Sequence, residues 1–177
     1  MTERKKYELT DEFIEHWSGK KLYRIKALID FGLVVAGSLG GFVESENNLD
    51  HNGNAWVYGN AWVYGNAWVY GNARVYGDAE VYGNARVYGD AEVYGNARVY
   101  GDAEVCEQRS VIWFSVVGTE NGTLTIYKSK DGSLLATRGC FSGTVDEFLA
   151  KSAQVHDEKT KREYELLIEV AKSRILG

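Results

Sequence analysis

A chain of 177 residues, 45% hydrophobic and 25% charged with a net charge of −5, is sized for one ordinary domain or two small ones with a sizeable core. Residues 1–53 carry seven Lys and Arg against nine Asp and Glu, residues 54–106 three against six, and residues 107–177 ten against ten. No region has the clustered positive face that phosphate-backbone binding needs, so nucleic acid is not an expected partner.

The run Arg4, Lys5, Lys6 reads as part of a solvated terminus. No apolar run approaches the ~18 residues of a spanning helix, and MTERKKYELT lacks the apolar stretch of a signal peptide. Two cysteines, Cys106 and Cys140, are too few for a disulfide framework. A cytoplasmic protein without a membrane partner is expected.

In chain order, YELTDEFIEHWSGKKLYRIKALIDFG predicts a hairpin over Tyr7 to Leu9 and Leu22 to Ile25, with the turn at residues 18–20. Residues 1–34 are read as an N-terminal cap, because an open solenoid end exposes apolar side chains and unpaired backbone groups. Next, Leu39, Val43 and Leu49 predict an imperfect first coil. Val43 and Leu49 stand six apart, whereas Leu49 and Val57 stand eight apart, which predicts a two-residue insertion around Asp50, His51 and Asn52.

From Asn54 the unit Asn/Asp-Ala-X-Val-Tyr-Gly recurs, with Val at every sixth position from Val57 to Val105. A period of six is neither 3.6 nor simply 2, so neither one helix nor one flat strand explains it. Ala and Val stand two apart and share a side of a short strand, and Gly with Asn or Asp supplies the bend. The repeat resembles the hexapeptide-repeat, left-handed β-helix family, marked by a large aliphatic residue with a small one two positions before it. That resemblance implies a mainly β fold: a left-handed parallel β-helix, a triangular solenoid of about 18 residues per coil rising ~4.8 Å per coil, over residues 35–106 with perfect hexads at 54–106.

Charge follows a second period. Arg and Glu alternate every six residues and recur every twelve, so an 18-residue coil stacks opposite charges. The predicted rows are Trp56, Arg74, Glu92; Trp62, Glu80, Arg98; and Trp68, Arg86, Glu104. Exposed pairs contribute ~0.2–1 kcal/mol each, enough to favour one register over its neighbours. The nearly perfect copies of GNARVYGDAEVY mark repeat expansion, natural or designed.

After Val105 the period stops. VIWFSVV, TLTIYK and LLATRGCF, separated by Glu120-Asn121-Gly122 and Lys130-Asp131-Gly132, predict a three-stranded meander. Thr144-Val145-Asp146-Glu147 has the form of a capping box and predicts a helix start. Tyr164, Leu167, Ile168, Ala171 and Ile175 give a second helix its apolar face. Residues 107–177 are therefore read as a C-terminal α+β module. LYRIKAL, GSLGGFVESENNL and KDGSLLATRGCFSGTVDEF, arranged around the hexads, resemble uncharacterised prophage-encoded hexapeptide-repeat proteins. This narrower resemblance implies a phage or bacterial accessory role.

The broader family includes acyltransferases that use a catalytic His beside a groove between trimer subunits, and γ-class carbonic anhydrases that hold zinc with three His. Here His16, His51 and His156 lie in three different regions, which does not support a zinc site, and no metal or cofactor is expected. His51, in the loop that breaks the hexads, is the one candidate acyl-transfer base; a lone loop His is more often structural. Cys106 takes the ninth Tyr position, where it reads as a packing adaptation.

With Ala and Val inward, the repeat tyrosines face outward in ladders such as Tyr58, Tyr76, Tyr94. Trp56, Trp62 and Trp68 fall one per face around one coil, so one small cap cannot cover all three. Exposed Trp and Tyr beside Arg74, Arg86 and Arg98 suit a protein interface. The sequence reads as a noncatalytic scaffold that binds a protein partner, such as a host or defence factor. A hexapeptide-type acyltransferase and a glycan-binding solenoid are the alternatives, and a homo-oligomer is compatible with each.

Overall fold

The computed structural model describes residues 4–177, so the first three residues of the predicted cap lie outside the described residues. Strands β1 (Tyr7–Glu15) and β2 (Lys21–Ala27) form the predicted hairpin, extended at both ends, with Gly19 at φ +88° in its turn. Both faces of β2 are used. Leu22 packs outward with Phe42 and Tyr64, while Ile25 and Ala27, on the opposite side, enter the solenoid core beside Tyr7 and Val34. The period-2 geometry of a strand allows one short segment to serve two clusters.

Strand β3 (Leu39–Val43) is antiparallel to β2 and runs parallel to the solenoid strand at Trp62–Val63. Val43 lies opposite Val63 and Leu49 opposite Val69, each 20 positions on, so this coil contains the two extra residues the spacing predicts. Leu39 departs from expectation: it is 58% exposed at the strand edge, opposite Lys26 beyond a register shift. Gly41 instead takes the inner position, where a Cβ would stand 2.6 Å from the Ala61 carbonyl oxygen. Asn48 is fully buried, donating to the carbonyls of Ala67 at 2.8 Å and Gly65 at 3.2 Å and accepting from the amides of Glu44 and Ser45. Its amide supplies partners where this coil has no regular strand.

Each hexad then contributes one two-residue strand: β4 (Trp56–Val57), β5 (Trp62–Val63), β6 (Trp68–Val69), β7 (Arg74–Val75), β8 (Glu80–Val81), β9 (Arg86–Val87), β10 (Glu92–Val93), β11 (Arg98–Val99) and β12 (Glu104–Val105). Parallel pairing of β4, β7 and β10, of β5, β8 and β11, and of β6, β9 and β12 builds three faces. Trp56 pairs with Arg74 and Arg74 with Glu92, an 18-residue coil. The second face continues through β3 and β2 to β1, giving a six-stranded sheet. Every hexad Ala and Val is buried, with exposure no greater than 1%. The corner glycines need the left-handed region. Gly77 has φ +68°, and a Cβ there would stand 2.9 Å from the Gly95 amide nitrogen, so both conformation and coil spacing exclude a side chain.

Beyond β12 lie β13 (Val111–Val117), β14 (Gly122–Lys128), β15 (Leu134–Arg138) and β16 (Phe141–Thr144), then helices α1 (Val145–Val155) and α2 (Glu158–Leu176). The meander therefore has four strands rather than three: LLATRGCF divides at Gly139, whose φ of +57° turns the chain back. Thr144 Oγ1 accepts the Glu147 amide at 3.1 Å, and Asp157 accepts that of Thr160 at 2.8 Å, starting the two helices. The face Tyr164, Ile168, Ala171 and Ile175 is buried in a second core with Leu124, Ile126 and Phe148.

The C-terminal sheet closes the last coil. Tyr127 and Val111 join the solenoid core. Thr125 Oγ1 accepts the Arg98 amide at 3.1 Å, Thr137 Oγ1 donates to the Arg98 carbonyl at 2.7 Å, and the Tyr127 hydroxyl accepts the Tyr100 amide at 3.2 Å. Side chains thus satisfy an edge that would otherwise template another strand.

Candidate interaction surfaces

The three tryptophans share one sequence context and have three different environments. Trp56 is 1% exposed, in edge contact with Tyr7 at 6.0 Å and Phe31 at 5.2 Å between ring centroids. Its expected role as an exposed interface residue is overturned, because Phe31 and Tyr7 come from the N-terminal segment and close over that corner. Trp62 is half-buried, packed against the cluster of Leu22, Phe42 and Tyr64 and 5.8 Å from the His16 ring. Trp68 is 36% exposed. Its ring stacks on Tyr70 at 3.9 Å, and the Arg86 guanidinium lies over it at 6.0 Å.

The arginines diverge similarly. Arg74 approaches Glu92 at 3.7 Å. Arg98 Nε lies 2.9 Å from Glu80 Oε2 but off the axis of a well-directed hydrogen bond, so the attraction is Coulombic; its other nitrogens donate to the Gly139 carbonyl at 2.9 Å and the Tyr82 hydroxyl at 3.2 Å. Arg86, opposite Glu104 in register, forms no ion pair among the described residues and is exposed beside Trp68. On the third face, then, a cation and an indole are presented together.

Tyrosine ladders run along the corners. Tyr70 and Tyr88 stack at 4.8 Å and 4°, and Tyr76 and Tyr94 at 4.8 Å and 6°. Tyr58 meets Tyr76 edge-on at 6.1 Å, and Trp113 of the C-terminal module ends this row edge-on against Tyr94 at 4.6 Å. Tyr64 departs from the outward expectation, being 6% exposed between His16 and Tyr82. Burial raises its hydroxyl pKa, with Glu80 adding to the effect. Stacked rings occupy one another's faces, so these ladders serve mainly to hold coils in register.

His51 is built into the N-terminal end. Its ring stacks on Tyr7 at 4.3 Å and 14°, Nδ1 accepts the Lys6 amide at 3.1 Å, and Nε2 lies 3.4 Å from Glu46 Oε1. Nδ1 is thus occupied by the Lys6 amide, and Nε2 faces the Glu46 carboxylate. Among the described residues no group of three or more His, Cys, Asp or Glu could hold a metal ion, and no helix is long and apolar enough to cross a membrane.

Sequence reasoning missed Tyr70 and Tyr88 as partners of Trp68. The available signal was spacing: Trp68 and Tyr70 stand two apart with Tyr70 at the coil corner, and Tyr88 lies one coil beyond. Also missed was a cleft in the C-terminal module around Arg138, whose residues come from segments with no shared period.

No curated protein matches the chain. The stretches 55–71, 67–81, 79–93 and 91–107 each match the YdcK beta solenoid repeat, so the regular part of the solenoid is similar to that repeat family.

Proposed function

We propose that the protein is a noncatalytic scaffold of the phage or prophage accessory type, which binds a protein partner, a host or defence factor, in the bacterial cytoplasm. The binding surface is the third face of the solenoid, centred on Trp68 with Tyr70, Arg86 and Tyr88. The observation that carries this reading is the exposed stack of Trp68 on Tyr70 with Arg86, which forms no ion pair among the described residues, above it. Trp, Tyr and Arg dominate binding energy at interfaces, and ring contacts organise them before any partner arrives. The accessory role rests on the resemblance of the flanking segments and the repeat to prophage-encoded proteins. The acyltransferase alternative loses its motivation once His51 is held between Tyr7, Lys6 and Glu46.

The test is a quantitative pull-down from bacterial lysate with wild type and Trp68→Ala. Loss of about 2 kcal/mol, roughly 30-fold in affinity, is expected for one captured protein. Equal capture by the variant overturns the assignment of this face.

A further inference from the structure

A second site lies away from the solenoid faces, in a cleft of about 300 Å³ between the β15–β16 turn and α1. Arg138 ends β15 and forms one side. Its Nε donates to the Tyr164 hydroxyl at 3.1 Å, and the terminal nitrogens have no acceptor among the described residues. Gly118 and Gly122 leave the room the guanidinium occupies: a Cβ on Gly122 would stand 2.6 Å from Cζ and Nη1, and one on Gly118 3.3 Å from Nη2. Arg138 forms no ion pair among the described residues. Of the nearby carboxylates, Glu163 is committed to the Gly118 amide at 2.7 Å, and Glu120 lines the cleft and forms no ion pair among the described residues. A held, half-buried guanidinium whose two terminal nitrogens have no acceptor among the described residues can pair with an incoming carboxylate.

The rest of the lining sets the body of the ligand. Phe141, paired with Arg138 across the turn, and Phe148 and Val155 of α1 are apolar, Lys151 lies 5.8 Å over the Phe141 ring, and His156 engages the Ser152 hydroxyl at 2.8 Å. The α1 part is the helix's carbonyl end, whose partial negative charge is offset by Lys151. Only Arg138 offers a planar fork, so the carboxylate belongs there, with the apolar part toward the helix. We infer that the cleft binds a small organic acid, its carboxylate held by Arg138 and its aromatic or aliphatic body seated against Phe141, Phe148 and Val155.

This inference is independent of the Trp68 face, and calorimetric titration of the full chain tests it. The probes are 3-phenylpropionate, 3-phenylpropionamide and inorganic phosphate. Saturable binding of the acid below about 10 mM is expected, with the amide and phosphate each at least about tenfold weaker. Arg138→Gln should weaken the acid by at least about tenfold, and Arg138→Lys should recover only part, since Lys keeps the charge without the fork. Thermal melts establish that the variants are folded; should Arg138→Gln unfold, Gly122→Ala, which crowds the guanidinium, must show the same loss. Equal binding of acid and amide, phosphate as tight as the acid, no saturable binding, or an unchanged affinity in the folded variants overturns the inference.

Discussion

Arg98 Nε and Glu80 Oε2 stand 2.9 Å apart although 18 positions separate them, because β8 and β11 are successive strands of one face. The alternation of Arg and Glu every six residues thus becomes attraction between coils. Glu80→Arg should destabilise the protein by about 1 kcal/mol, since both groups are partly solvated, by opposing Arg98 directly. Adding Arg98→Glu should recover part of this but not all, because Arg98 also holds the Gly139 carbonyl. A double-mutant cycle from denaturant melts at low salt checks this; strictly additive effects would show that the two residues are uncoupled.

Coil length leads to a deletion test. Removing residues 71–88 joins Tyr70 to Gly89 with each later Ala and Val still inward, and a folded protein one coil shorter is expected. Removing residues 71–85 shifts the following sequence by three along the hexad and points its valines outward. Circular dichroism and thermal melts should show a cooperative transition for the first and none for the second. A native-like melt for the second would contradict the 18-residue register.

The tryptophans should separate stability from binding. Trp56→Ala empties a fully buried site and should cost about 3 kcal/mol or more, whereas Trp68→Ala should leave the melting temperature within about 2 °C of wild type. Comparable melting temperatures for the two variants would mean that Trp56 is not buried between Tyr7 and Phe31.

Lys6 predicts a pH dependence. Its ammonium donates to the Ala55 carbonyl at 2.7 Å, and burial lowers its pKa to about 8, partly offset by Asp50. A lysine depressed in the folded state binds its proton more tightly when unfolded, so stability should rise as pH increases from about 8 toward its unfolded value near 10.5. Burial raises the hydroxyls of Tyr7, Tyr64 and Tyr127; these remain protonated in the fold when they would ionise in the unfolded chain, and so oppose the rise above about pH 10. Chemical denaturation between pH 7.5 and about 9.5 should show increasing stability in wild type and a flat profile in Lys6→Met. A flat wild-type profile would show that Lys6 is not perturbed.

The sequence by itself determined the solenoid. Contacts between coils recur at one offset, so the positions of Val57, Val75 and Val93, and of Arg74 over Glu92, follow from a period that can be counted. The capping strategy was legible for a related reason: a period that stops must be closed at both ends. The tertiary structure alone decided which repeats are covered. Trp56, Trp62 and Trp68 are equivalent in sequence, and only the arrival of Tyr7, Phe31 and the β1–β2 hairpin from outside the repeat buries the first, half-covers the second and leaves the third exposed. Leu39 departs from the period for the same reason, since the β2–β3 register shift that puts it at the edge has no counterpart in the hexads. The Arg138 cleft is assembled from the turn after β13, the end of β15 and both helices. Its contacts depend on how a nonrepetitive core packs, and no single offset in the chain encodes that.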